Sequence, residues 1–321
     1  MNKQILAALA AIFALATAGA QTPKEINFGI ISTESSQNLK QDWQPLLADM
    51  EKRTGLKVNA FFASDYAGII EAMRFNKVQV AWMGNKSAIE AVDRAGAEVF
   101  AQVVNADGTL GYHSLVSVHK DSPYKTMDEV LKNGKSLSFG IGDPNSTSGF
   151  LVPSYYLFAK NGLEPRATFR NVRAANHETN ILAVANKQVD AAVHSSDVLD
   201  RIEQRQPEVF GKIRVIWKSP LIPADPLVWR KDLDADVQQR VKQFMLSYGK
   251  GAEAQRESAI LKKLVLSGFR PSDNGQLNPT RALDLYREKL KLEADAAMNA
   301  QEKAGKLDAV NRKLAELQRA S

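Results

Sequence analysis

The segment Asp143-Pro144-Asn145-Ser146-Thr147-Ser148-Gly149 sets three hydroxyls in a row behind a turn of Asp, Pro and Asn. It follows an apolar, strand-like run, Leu137-Ser138-Phe139-Gly140-Ile141-Gly142, and leads into Phe150 to Ala159, which reads as a helix. Ser146 or Thr147 suits the N-cap, where a side-chain oxygen meets amides that the first turn leaves without a carbonyl. Free amides and hydroxyls then point at one spot, which also carries the positive end of the helix dipole. A tetrahedral phosphorus or sulfur oxyanion fits such a seat, held by many neutral donors. An ordinary capped helix behind a Ser/Thr-rich loop is the competing reading, and this segment alone leaves both open.

The surrounding elements form an α/β pattern. Strand-like runs at Ile26–Ile31, Val58–Phe62, Val80–Met83 and Val99–Val104 alternate with helical patterns at Leu39–Thr54, Ile69–Asn76 and Ser87–Ala95, and Tyr112 to Val118 continues the alternation. In the first helix Trp43, Leu46, Leu47 and Met50 share one face and Gly55 supplies the stop. Two places read as crossings between lobes. One is Val116 to Pro123; the other is Val215 to Trp229, where extended runs flank a bend containing Pro220, Pro223 and Pro226. Prolines forbid helix there and pre-set extended backbone. A chain that leaves a lobe and returns through such segments builds a hinge with a cleft between lobes. The expected organisation is lobe 1 from 21–117 and 219–280, lobe 2 from 118–218, and a helical extension at 281–321. No Gly-rich dinucleotide fingerprint follows the first strand.

Lys3, the apolar stretch Ile5 to Ala16 and Ala18-Gly19-Ala20 have the order of a cleavable secretory signal, residues 1–20. The apolar run is too short for a stable membrane span. There are no cysteines, hence no disulfides and no thiol for a lipid anchor. A soluble protein of the bacterial periplasm is the expectation. The formal net charge of +6 favours small anions only mildly. No Lys/Arg cluster interleaves with aromatics, so nucleic acid is not an expected partner. The spacing of the four histidines outlines no metal site, and no cofactor is expected.

Several segments together are specific enough to name a family. Asn27–Glu34, Asp65–Ile70, Met73–Lys77, Glu90–Ala95, Asp143–Pro153, His177–Asn180, Leu182–Asp190 and Ile216–Lys231 resemble the phosphonate-binding proteins of bacterial phosphonate ABC importers. The similarity runs from about residue 25 to about 250 and loosens in the tail. It implies a two-lobed periplasmic binding protein of type II that closes on its ligand. It also implies a phosphonate ligand, 2-aminoethylphosphonate first, and a membrane permease with its ATPase as partners. Residue by residue, the resemblance puts the phosphonate oxygens on Ser146, Thr147 and Ser148, with His177 and Tyr112 close by. Tyr66, Asp197 and Asp225 fall toward the amino end. Two positions depart from the pattern: Asp197 stands where relatives carry Glu, and Met83 replaces an aromatic residue.

These assignments make physical sense. A phosphonate carries one to two negative charges near neutral pH, by analogy with phosphate esters, and needs many donors to replace its hydration. Carboxylates in an anion cleft repel the ligand unless its other end is cationic. Asp197 and Asp225 then discriminate against inorganic phosphate, which leaves them buried and unpaired. Two other readings remain: a receptor for phosphite, phosphate or methylphosphonate, and a secreted hydrolase with Ser146 or Ser148 as nucleophile. Hydrolysis calls for an activating base or metal cluster, and no such constellation stands out. In the tail, Arg281 to Arg319 reads as helix interrupted only at Gly305, with Leu307, Val310, Leu314 and Leu317 forming an apolar stripe. It packs back on its own lobe or pairs two copies as a homodimer, Leu283, Tyr286 and Leu290 then extending the contact.

Overall fold

The computed structural model describes residues 25–319, so the expected signal segment lies outside the described residues. The chain begins β1 (Glu25–Ile30), α1 (Ser36–Thr54), β2 (Lys57–Phe62), α2 (Tyr66–Arg74), β3 (Val80–Trp82), α3 (Asn85–Arg94) and β4 (Ala97–Asn105). Ser35 caps α1 by accepting from the Asn38 amide, and Gly55 ends it at φ 69°, a conformation glycine adopts without penalty. Next come β5 (Gly111–Tyr112), β6 (Ser114–His119), α4 (Met127–Lys132), β7 (Ser138–Ile141), α5 (Pro165–Thr168) and β8 (Asn171–Ala174). α6 (His177–Ala185), β9 (Ala191–Ser195), α7 (Ser196–Arg205), α8 (Pro207–Phe210) and β10 (Ile213–Lys218) complete that section. The chain returns through β11 (Ile222–Pro223), β12 (Pro226–Arg230), α9 (Ala235–Ser247), α10 (Ala254–Lys263) and β13 (Leu266–Pro271). It ends in α11 (Asn278–Ala294) and α12 (Ala300–Arg319).

Two sheets make the two lobes. The first has the order β13-β4-β12-β3-β1-β2 and the second β10-β6-β9-β7-β8. Their cores are separate: Phe28, Trp43, Ile69 and Phe100 pack in lobe 1, Phe139, Phe158 and Phe169 in lobe 2. Burying each such side chain contributes ~1.5–3 kcal/mol. A ribbon of β5 against β11 joins the lobes. There the Ser114 amide donates to Ser219 Oγ at 3.0 Å, tying the outgoing chain to the returning one.

The first crossing lies upstream of the expected place. Tyr112 to Val118 is not one segment, because the chain breaks at His113. Beyond the break β6 pairs with both β9 and β10 in the second sheet. Ser114–Val118 is therefore interior strand of lobe 2, which explains its continuous burial. The expected lobe boundary at 117/118 shifts to the β4–β6 connection.

The tail also differs from expectation. Its break falls at residues 295–299, not at Gly305, which sits inside α12. Asp295 Oδ1 accepts from the Ala297 and Met298 amides, and Asn299 Oδ1 from the Gln301 and Glu302 amides. Two successive Asx turns stop one helix and cap the next, a signal the alanine-rich composition obscures. α12 folds back on α11, with Val310 and Leu314 packed on Leu292. α11 reaches both lobes: Arg281 pairs with Asp93 of lobe 1 at 2.6 Å, and Lys291 with Glu164 of lobe 2 at 3.3 Å. Leu283 packs against Tyr112, Val152 and Ile222 beside the crossing.

Candidate functional site

β7 delivers the chain into the hydroxyl segment. Ser146 is the N-cap, its Oγ accepting from the Gly149 amide at 2.9 Å. The helix that follows, Thr147–Leu151 and then Ser154–Phe158, is wider than an α-helix: the Leu151 amide donates to the Ser146 carbonyl five residues back at 3.1 Å. Such widened turns occur often at functional sites. Gly149 permits the close packing here. A Cβ there falls 3.0 Å from the His177 ring and 2.8 Å from Ser146 Oγ, so a larger residue pushes the imidazole off the seat.

Lobe 1 closes against this segment. The Lys86 amide, in the first turn of α3, donates to Thr147 Oγ1 at 2.9 Å. The Tyr66 amide, first in α2, donates to Asp143 Oδ2 at 3.2 Å. Between the lobes lies a small cavity lined by residues of both. Five helices present their amino ends to it: α2 at Tyr66, α3 at Gly84, the wide helix at Ser146 to Ser148, α6 at His177 and α7 at Ser195 and Asp197. Together their dipoles add to the positive field of the cavity.

The titratable groups have shifted far from their ordinary values. Burial drives the His177 proton affinity down to about 3, and His194 and Arg201 add repulsion, so the imidazole is neutral at physiological pH. Its Nε2 lies 3.4 Å from Ser146 Oγ, and its Nδ1 has no partner. Burial pushes Asp225 well above the usual carboxylate range and the Asp197 charge adds to this; hydrogen bonds from Tyr112 and Trp82 oppose it. Burial likewise raises Asp197, against the pull of Arg201. Tyr66 and Tyr112 are raised first by burial and then by the nearby carboxylates, so both phenols stay protonated donors.

All eight expected residues line this cavity: Tyr66, Tyr112, Ser146, Thr147, Ser148, His177, Asp197 and Asp225. Sequence reasoning missed Thr33, Trp82 and Arg201, which line it too. Thr33 and Trp82 sit at the carboxyl ends of β1 and β3, where ligands of open α/β sheets bind, so strand direction alone pointed to them. Arg201 is one turn beyond Asp197 on α7, a spacing legible once Asp197 is chosen. His194 is buried with Nε2 2.8 Å from Ser117 Oγ. Among the described residues no His, Cys, Asp or Glu group forms a metal cluster.

Comparison with known proteins identifies the family. Residues 28–277 match the family described as ABC transporter, phosphonate, periplasmic substrate-binding protein. The chain is 50% identical to the phosphonates-binding periplasmic protein of Escherichia coli (strain K12), over 99% of this chain and 95% of that one. A solved binding protein component of an ABC phosphonate transporter from Pseudomonas aeruginosa superposes with a TM-score of 0.89 at 51% identity, covering 93% of this chain and 97% of that one. At 20% identity, and so for the fold alone, a protein of Prochlorococcus marinus (MIT 9301) in complex with methylphosphonate superposes at 0.71, covering 82% of this chain and 97% of that one. With a family match across most of its length and half its residues shared with a curated member, the chain belongs to the periplasmic substrate-binding proteins of phosphonate ABC transporters.

Proposed function

We propose that this protein is the periplasmic receptor that captures an aminoalkylphosphonate, 2-aminoethylphosphonate above others, and delivers it to a membrane permease and its ATPase. One observation carries the reading. Three buried polar atoms without a protein partner, Thr33 Oγ1, His177 Nδ1 and Asp225 Oδ1, belong to residues lining one cavity. Buried polar groups are otherwise nearly always paired. Ser146, Thr147, Ser148 and His177 receive the phosphonate oxygens, Tyr66 and Tyr112 wall the alkyl spacer, and Asp197 and Asp225 receive the ammonium. Calorimetry with 2-aminoethylphosphonate, methylphosphonate, phosphite and phosphate tests it. Tightest binding by the aminated ligand is expected; equal or tighter binding of phosphate overturns the preference.

The raised carboxyls favour one rival. A protonated Asp225 donates a hydrogen bond instead of repelling, which suits phosphate or phosphite, and a relative from Mycolicibacterium smegmatis, 30% identical, is a phosphate-import protein. The pH dependence separates the two. Both carboxyl pKa values lie above their ordinary range in the ligand-free cavity, and an ammonium between them lowers both. Binding of the aminated ligand therefore releases protons, and its affinity rises with pH through the raised values. Methylphosphonate lacks the ammonium and serves as the control for protons lost from the phosphonate group itself. Calorimetry in buffers of different ionisation enthalpy reads the proton count; uptake on binding the aminated ligand refutes the ammonium site.

Hydrolysis finds little support. Ser146 has His177 beside it, but that imidazole is a weak base, with a value of about 3 and no acid on Nδ1 to orient it. In the tail, packing of α12 on α11 favours a single copy over the paired one. Light scattering is expected to give a monomer mass, and truncation after Asp295 to leave phosphonate affinity unchanged. A dimer mass that the truncation halves establishes the paired arrangement instead.

A further inference from the structure

The loop between β1 and α1, with the first turn of α1, belongs to lobe 1, yet lobe 2 holds it at three levels. The Glu34 carboxylate is fully buried and bonded to both Arg201 and Arg205 of α7. Arg205 also holds Asp42 of α1 at 2.8 Å. One helix away, Glu178 of α6 accepts from the Ser35 amide and from the Asn38 side chain, both at 2.6 Å, and so caps the amino end of α1 from the opposite lobe. The Glu178 amide donates to the Thr33 carbonyl at 3.3 Å. The same segment turns Thr33 toward the anion cavity, where its hydroxyl has no protein partner.

We infer that residues 33–38 are a clasp: gripped by Arg201, Arg205 and Glu178 as the cleft shuts, they carry the Thr33 hydroxyl onto the head group, making Thr33 a ligand contact and Glu34 the residue that sets how long a ligand stays. The inference rests on the receptor reading and adds to it a determinant indifferent to the ligand's tail. The groups divide between lobes, Glu34, Asp42 and Ser35 on one, Arg201, Arg205 and Glu178 on the other, so none of these bonds exists with the lobes apart. Separated, the carboxylate and both guanidiniums return to water and need no partner. Together they are shut away, where removing one member leaves charge uncompensated. The cluster therefore acts on the balance between open and shut forms, and on each lobe's own fold hardly at all. Arg201 links it to the cavity, because the guanidinium that holds Glu34 also lines the wall beside Asp197.

The test is the release rate of 2-aminoethylphosphonate and of methylphosphonate, by stopped-flow tryptophan fluorescence, for wild type, Glu34→Gln and Thr33→Val, with the ligand-free melting temperature of each. Glu34→Gln is expected to speed release of both ligands alike, about 10- to 100-fold, with little change in association rate. Its ligand-free melting temperature should match wild type, which a merely architectural ion pair does not allow. Thr33→Val keeps the shape and removes one donor, and both ligands should leave about tenfold faster. Unchanged release from Glu34→Gln, a loss confined to the aminated ligand, or a depressed ligand-free melting temperature overturns the clasp alone. A wild type that binds neither ligand overturns the receptor reading and the clasp with it.

Discussion

Asp225→Asn is expected to weaken binding of 2-aminoethylphosphonate about 100-fold while leaving methylphosphonate within about threefold of wild type. Asparagine keeps the volume and most of the hydrogen bonds but cannot offer the ammonium a charge. Asp225 sits just before β12, and its own carbonyl accepts from the Val103 amide at 3.0 Å, so the backbone that positions it belongs to the sheet and survives the change. Burial raises the carboxyl's proton affinity in the shut cleft, which it shares with Asp197 and Arg201 of the other lobe. With the lobes apart that burden is gone, so the ligand-free asparagine variant should melt like wild type. Calorimetric titration and thermal melts on the same preparations read both effects. Equal losses for the two ligands would sink the assigned role.

Ser148→Ala and Ser146→Ala should each weaken every phosphonate, aminated or not, by about 10- to 100-fold, the range for losing one hydrogen bond to a charged group. The two differ in a second readout. Ser146 Oγ also caps the wide helix, so its loss costs the ligand-free protein an additional ~1 kcal/mol. The described contacts of Ser148 run through its carbonyl, which accepts from Ser114 Oγ at 2.6 Å, and its alanine variant should melt like wild type. If only the aminated ligand suffered in either variant, the head-group seat has been assigned to the wrong end of the cavity.

Local signals in the sequence were reliable where local chemistry decides. Alternating runs foretold the β–α order of lobe 1, and the Asp-Pro-Asn turn with its hydroxyls foretold a cap at Ser146 or Thr147, which the fold places at Ser146. Long-range pairing was not legible. Ser114–Val118 reads the same whether it leaves lobe 1 or enters lobe 2, because a buried strand carries no mark of which sheet it joins. The carboxylates show the same limit. Asp225 before a proline reads as a turn residue until the fold brings Asp197 to it from the other lobe, and only the family resemblance singled it out. Thr33 and the Glu34 ion pairs went unread for a related reason. Their partners lie well over a hundred residues away, across a cleft no local pattern records.

The site is shared unevenly between halves that each fold on their own core. One half contributes Ser146 to Ser148, His177 and Asp197; the other, Thr33, Tyr66, Trp82 and Asp225. On the proposed assignment neither half alone offers the whole coordination shell. Affinity then depends on the hinge angle, and a transporter that prises the halves apart dismantles that shell in one motion. It need not touch the cargo, compete for its oxygens or know which phosphonate it is unloading.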